Sequence, residues 1–203
     1  MLLSKSIAIL ESYVAMSMPS GGTESSDATT TVTAEQASTL ADLGENAVEL
    51  VELARTAQKD ASSSYTGGKT VAVVAGEQTI SGWTKRKGYI QKTAEVMLRS
   101  DQIGYQLRND YLRDQGVNGR YNASHAEKQA YEVAPNQPIG VSRPMCLDCR
   151  IYFRLLAQHV GESQVISDPD ITRIFYSDGR VIVIRSDNSL VTYASDTAAE
   201  KLI

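Results

Sequence analysis

Two short strings constrain this chain more than anything else in it. His125–Ala126–Glu127 stands inside YNASHAEKQAYEV, and Cys146–Leu147–Asp148–Cys149 stands inside SRPMCLDC. They hold one of only two histidines and both cysteines of the 203 residues. Two cysteines make no disulfide framework, and a three-residue step between them suits a metal or a redox pair. Each string also opens a predicted helix. Ser124 can cap a helix from about His125 to Val133, stopped before Pro135. CLDCRIYFRLLAQHV reads as a second helix, with Ile151, Leu155 and Leu156 on its apolar face and Gly161 after it.

The first chemistry these residues suggest is a zinc site made by His125, Cys146 and Cys149. One imidazole and two thiolates leave a tetrahedral ion its fourth position, which is the open arrangement of catalytic zinc. The second histidine, His159, lies roughly 15 Å along the second helix, too far to close the site. Zinc with two thiolates and a neutral imidazole sums to zero charge, and Glu127 stands where a base could take a proton from water. Residues at i and i+2 do not share a helix face, but at the first turn His125 and Glu127 can lean over the same end. Two converging helix N-termini would favour the thiolates. Other readings stay open for each part: buried apolar cysteines, a thioredoxin-type pair, a capping histidine, a first-turn glutamate.

Around these strings the chain divides in two. PSGGTESSDATTTVTAE (19–35) has linker composition, and the opening MLLSKSIAILESYVAMSM reads as a short amphipathic helix rather than a secretory signal. A helical stripe of Leu40, Leu43, Ala47, Leu50, Val51 and Ala54 follows within residues 33–61. SSSYTGG breaks it, so we expect an N-terminal helical and linker appendage over 1–65 and a main domain over 66–203. In the main domain, strands are predicted near 70–75 and 78–83, joined at Gly76–Glu77. A helix is predicted over 89–115, with Ile90, Ala94, Met97, Leu98, Leu107, Tyr111 and Leu112 buried. QPIGVS and ESQVISD add short strands. ITRIFYSDGRVIVIRSD reads as a hairpin turning at Asp178–Gly179, and NSLVTYASDTAAEKLI as a further strand and a closing helical turn.

His-x-Glu opening one helix and Pro-Cys-x-x-Cys opening the next resembles the signature of the zinc nucleoside and nucleobase deaminases. The forms SHAEKQA and GVSRPMCLDC are most similar to the bacterial polymorphic-toxin branch, over roughly residues 66–190. One departure stands out: Met145 separates Pro144 from Cys146, which alters the loop over the substrate but not the ligands. The resemblance implies an α/β, cytidine deaminase-like three-layer fold. Its mixed central sheet has about five strands flanked by helices, with a C-terminal hairpin. It also implies Zn2+ as cofactor and hydrolysis of cytosine to uracil in DNA, with Glu127 as the proton carrier. The expected partners are single- or double-stranded DNA and an immunity protein. The chain would be a monomeric secreted effector delivered into a target-cell cytoplasm, or soluble cytoplasmic when expressed alone.

Charge bears on the substrate. Residues 1–65 carry three basic and nine acidic side chains, whereas Trp83 to Arg120 carry eight basic and four acidic. A basic stripe can meet phosphates even in a chain whose formal net charge is −4. Trp83, Lys85 and Arg86 in WTKRKGY combine a stacking surface with cations. Asn118, Arg120, Tyr121, Asn122, Ser124 and Arg143 flank the two strings and complete the expected substrate contacts. Two alternatives share these residues: a deaminase of RNA, adenine or free nucleosides, and a non-catalytic zinc-stabilised nucleic-acid-binding module. No run approaches 18 apolar residues, so no membrane span is expected.

Overall fold

Runs such as VAVV and VIVI have no polar alternation, so strands made from them must be covered on both faces. The computed structural model, which describes residues 39–64 and 67–193, shows this three-layer arrangement. Seven strands form one mixed sheet: β1 (Val71–Val74), β2 (Glu77–Ile80), β3 (Ile139–Val141), β4 (Gln164–Ser167), β5 (Ile171–Phe175), β6 (Val181–Arg185) and β7 (Leu190–Tyr193). Their spatial order is β2-β1-β3-β4-β5-β6-β7, two strands more than the five expected. Only β3 and β4 run parallel. The five helices among the described residues are α1 (Glu45–Ser63), α2 (Thr93–Gln102), α3 (Arg120–Ala123), α4 (Ala126–Val133) and α5 (Leu147–Val160), with a 3-10 turn at Leu40–Leu43.

Alternate strand residues enter opposite layers. Ala72, Val74, Ile166, Phe175, Val181 and Val183 join Ala126, Ala130, Tyr152, Phe153 and Leu156 of α4 and α5 in the larger core. Val165, Ile174, Ile182 and Ile184 face the other way, onto Val51 and Ala54 of α1. Helix α1 is thus a layer of the fold, and the expected boundary at 65/66 falls between α1 and the first strand it covers. All described residues lie in one compact unit, 34–203. The contact between α1 and β3 is close enough to require glycine. A Cβ on Gly140 would lie 1.9 Å from the Gln58 amide nitrogen and 2.1 Å from the Ala57 carbonyl carbon.

Several local expectations are corrected. The β1–β2 turn falls at Ala75–Gly76, both at positive φ (49° and 81°), one residue earlier than expected. The helix expected over 89–115 is confined to α2. Gly104 takes φ 68°, and residues 103–119 leave the helix as a series of turns. Tyr111 and Leu112 stand in those turns and are exposed, not buried, and Ala94 and Leu98 lie on the outer face of α2 and are exposed as well. Ser124 does not cap α4. It closes α3, its hydroxyl donating to the Tyr121 carbonyl at 2.8 Å, and His125 is the extended residue that precedes α4. Gly161 ends α5 in the left-handed conformation, as expected. The N-terminal amphipathic helix, the linker and the closing helical turn lie outside the described residues.

Candidate active site

The parallel crossover β3–α5–β4 sets the N-terminus of α5 at the end of β3, at the crevice where open α/β sheets hold ligands. Cys146 is the extended residue before α5, and Cys149 lies in its first turn. Helix α4 crosses β1, β2 and β3, and its leading residue His125 meets the two cysteines. His125 Nδ1 lies 3.1 Å from Cys149 Sγ and 3.5 Å from Cys146 Sγ. Cys149 is buried and Cys146 exposed, so the cluster has one sealed and one open side. His159 lies in the last turn of α5, and the cluster does not include it.

Four donor groups gather here: His125, Cys146, Asp148 and Cys149, with ligand atoms all within 4.8 Å of one another. Asp148 is already committed elsewhere. Its Oδ2 accepts from Lys128 Nζ at 2.5 Å and its Oδ1 from the Tyr105 hydroxyl at 2.6 Å. That leaves the imidazole and two sulfurs. Tetrahedral zinc with ordinary Zn–N and Zn–S bonds needs N···S separations of about 3.5 Å, and the observed spacings fit.

Within the donor set the two thiols are shifted in opposite directions. The Cys149 hydrogen bond, reinforced by His125, holds the Cys146 thiol down to about 4 against the opposing effect of burial. Burial, together with the same sulfur–sulfur contact, pushes the Cys149 thiol well up. Burial lowers His125, but Cys146 and the charge of Glu127 outweigh it and leave the imidazole raised. Two sulfurs and an imidazole therefore share protons that a divalent ion would displace.

Glu127 is 5% exposed in the first turn of α4. With His125 and Cys146 it lines a cleft of about 500 Å3. Trp83, Tyr121, Ser124 and Arg143, four of the expected substrate contacts, line it too. Arg120 does not, but its guanidinium stacks 4.6 Å over the Trp83 ring. Asn122 is buried in α3, with its amide donating to the Arg108 carbonyl at 2.5 Å, and is not part of the cleft wall. Lys85, Arg86 and Asn118 are exposed and stand outside the cleft wall.

Lys69, Leu112 and Arg113, which belong to neither motif, also stand in the wall. Lys69 and Gly82, which takes φ 110°, meet in the cleft wall. A Cβ at Gly82 would sit 2.7 Å from Lys69 Nζ. Arg113 lies 4.0 Å over the Tyr121 ring, and Tyr121 meets His125 edge-on at 5.5 Å. The only available sequence signal for Arg113 was its place in the basic stretch from Trp83 to Arg120.

A three-layer α/β fold in which His-x-Glu and Cys-x-x-Cys open adjacent helices around one donor cluster is the arrangement of the nucleoside and nucleobase deaminases. Residues 78–131 match the family described as single-strand DNA deaminase toxin A, C-terminal. The match runs from β2 through Trp83 and the loop after α2 to His125, Glu127 and most of α4. It covers just over a quarter of the chain and stops before the cysteines. A search of curated proteins finds no match. Among the described residues, no helix is long and apolar enough to cross a membrane.

Proposed function

We propose that this protein is a zinc-dependent deaminase that converts cytosine to uracil in single-stranded DNA, as the effector domain of a toxin. The observation that carries the reaction type is the placing of His125, Cys146 and Cys149 within 3.1–3.5 Å contacts beside Glu127 in one cleft. The single-stranded target is supported by the family matched over 78–131. An open cleft walled by Lys69, Arg113 and Arg143 beside Trp83 and Tyr121 suits a phosphate backbone with unstacked bases.

In this reading His125, Cys146 and Cys149 hold the ion. Zinc, when bound, supplies Lewis acidity toward water. Glu127 takes a proton from the water, delivers it to the ring nitrogen N3, and then assists the departure of ammonia. The balance is cytosine plus water giving uracil plus ammonia. Trp83 and Tyr121 offer faces to the base, Ser124 a hydroxyl at the floor, and Arg143 a cation to the backbone. The deaminase domain is residues 66–203, with α1 laid over its sheet. Outside the molecule, the same reading makes the protein a delivered effector that its producer restrains with an immunity protein.

The test is direct. Single-stranded DNA, duplex DNA, RNA and free cytidine are each incubated with the protein, and products are read by sequencing or chromatography. The expected result is cytosine-to-uracil conversion in the single strand, above that in the other three. Conversion confined to RNA or to cytidine would move the target, and no conversion anywhere would leave a zinc-stabilised binding module.

A further inference from the structure

The loop between α2 and α3 holds apolar side chains in water on a well-tied frame. Asp114 is 2% exposed and organises the loop from beneath. Its Oδ2 accepts from the backbone amides of Asp110 (2.8 Å) and Gly119 (2.9 Å), and its Oδ1 from that of Tyr121 (2.8 Å). The neighbouring Arg113 is fixed by Asp110 at 2.6 Å and by the Tyr121 ring. Between these anchors Tyr111 and Leu112 are 85% and 94% exposed. Leu112 and Arg113 are part of the wall of the cleft that holds Glu127.

We propose that Tyr111 and Leu112 form a subsite for the nucleobase next to the target cytosine, with Arg113 beside it for the intervening phosphate. This rests on the single-stranded DNA reading above. Three observations select a nucleobase as the occupant. The apolar pair is continuous with the cleft wall through Leu112. A cation adjoins it in sequence, the combination by which proteins grip single strands with bases on apolar or aromatic faces and phosphates on cations. The Asp114 frame holds the pair ready rather than leaving it to collapse onto the core. A subsite of this kind would read the stacking surface of the neighbour and so set the sequence context of deamination.

The experiment uses the full chain and the double variant Tyr111→Ser, Leu112→Ser. Substrates are single-stranded oligonucleotides with one cytosine whose 5′ or 3′ neighbour is an intact base or an abasic site. For the unaltered protein, removing the base on one side should raise KM at least about fivefold. The double variant should lose the difference between intact and abasic neighbours on that side, and its preference among the four neighbouring bases should flatten. The exposed positions leave the melting temperature in place. A protein indifferent to abasic neighbours, or a double variant weakened equally on intact and abasic substrates, would overturn the subsite. An unaltered protein inactive on every oligonucleotide would instead overturn the deaminase reading, and the subsite with it.

Discussion

Lys128 Nζ lies 2.5 Å from Asp148 Oδ2, and this buried ion pair ties the two site-bearing helices together directly behind the donor cluster. Lys128 is fully buried, 5.1 Å from the Tyr105 ring centroid and 5.0 Å from that of Tyr152, and it also donates to the Asn122 carbonyl. Burial alone would raise Asp148, but Lys128 and Tyr105 hold its carboxyl below the usual range. Removing one partner of such a pair strands the other charge in the interior. Lys128→Met should lower unfolding free energy by about 3–5 kcal/mol in urea titrations, and pairing it with Asp148→Leu should recover much of that loss. An unchanged midpoint for Lys128→Met would contradict this.

Glu127 and its neighbours should separate chemistry from folding. Glu127→Gln is expected to lower the deamination rate about 100- to 10,000-fold, the usual worth of a positioned acid–base group. Melting temperature and bound metal should not change, because Glu127 is outside the donor set. A variant that loses metal together with activity would make Glu127 a ligand.

Metal binding should be read out in stability. Cys149 is fully buried in the folded chain, so an ion held by its sulfur binds the folded state and not the unfolded one. A strong chelator should lower the melting temperature of the unaltered protein. Cys149→Ser should melt low from the start and respond little to the chelator. Equal chelator shifts in both proteins would argue against coordination here.

The junction of α1 and β3 should tolerate no side chain at Gly140. A Cβ there would meet α1 backbone atoms at 1.9–2.5 Å, which side-chain rotation cannot relieve. Gly140→Ala should destabilise by about 1–3 kcal/mol or more through displacement of the helix. Urea unfolding gives the value, and a neutral result would mean that α1 does not sit on the sheet as described.

Glu132 gives a pH signature away from the cleft. Its side chain is 8% exposed and faces Arg99 at 3.1 Å, yet burial pushes its carboxyl up by more than Arg99 draws it down. A carboxyl raised by folding contributes stability fully below its unfolded value, about 4.3. That contribution is lost as pH rises through the folded value. The stability of the unaltered protein relative to Glu132→Gln should therefore fall as pH rises from about 4.3 and level off once Glu132 is ionised. Parallel stability curves for the two proteins would contradict the shift.

The donor cluster was legible in the sequence because its spacing is local: His125 and Cys146 each begin a helix, and only their meeting needed the fold. The strands were legible for a similar reason, since VAVV and VIVI are short apolar runs set off by local turn signals at Gly76–Glu77 and Asp178–Gly179. The length of α2 was not. Residues 103–115 have helical composition, but Gly104 turns the chain and Asp114 gathers three backbone amides that a helix would have used internally. Ser124 had the composition of an N-cap, yet the chain has already turned at α3, which takes its hydroxyl. Lys128 and Asp148 carry no sequence signal as a pair, because they lie on different helices and only packing brings them together. Helix α1 looked like part of an appendage because a linker-like break follows it. Its role as a layer depends on the gap at Gly140.

The most direct test is the metal content of the purified protein, measured by inductively coupled plasma mass spectrometry beside Cys146→Ser and Cys149→Ser. Close to one zinc per chain is expected in the unaltered protein, with a marked loss in both variants. A protein purified without chelators that carries no stoichiometric zinc, or variants that keep it in full, would contradict the account.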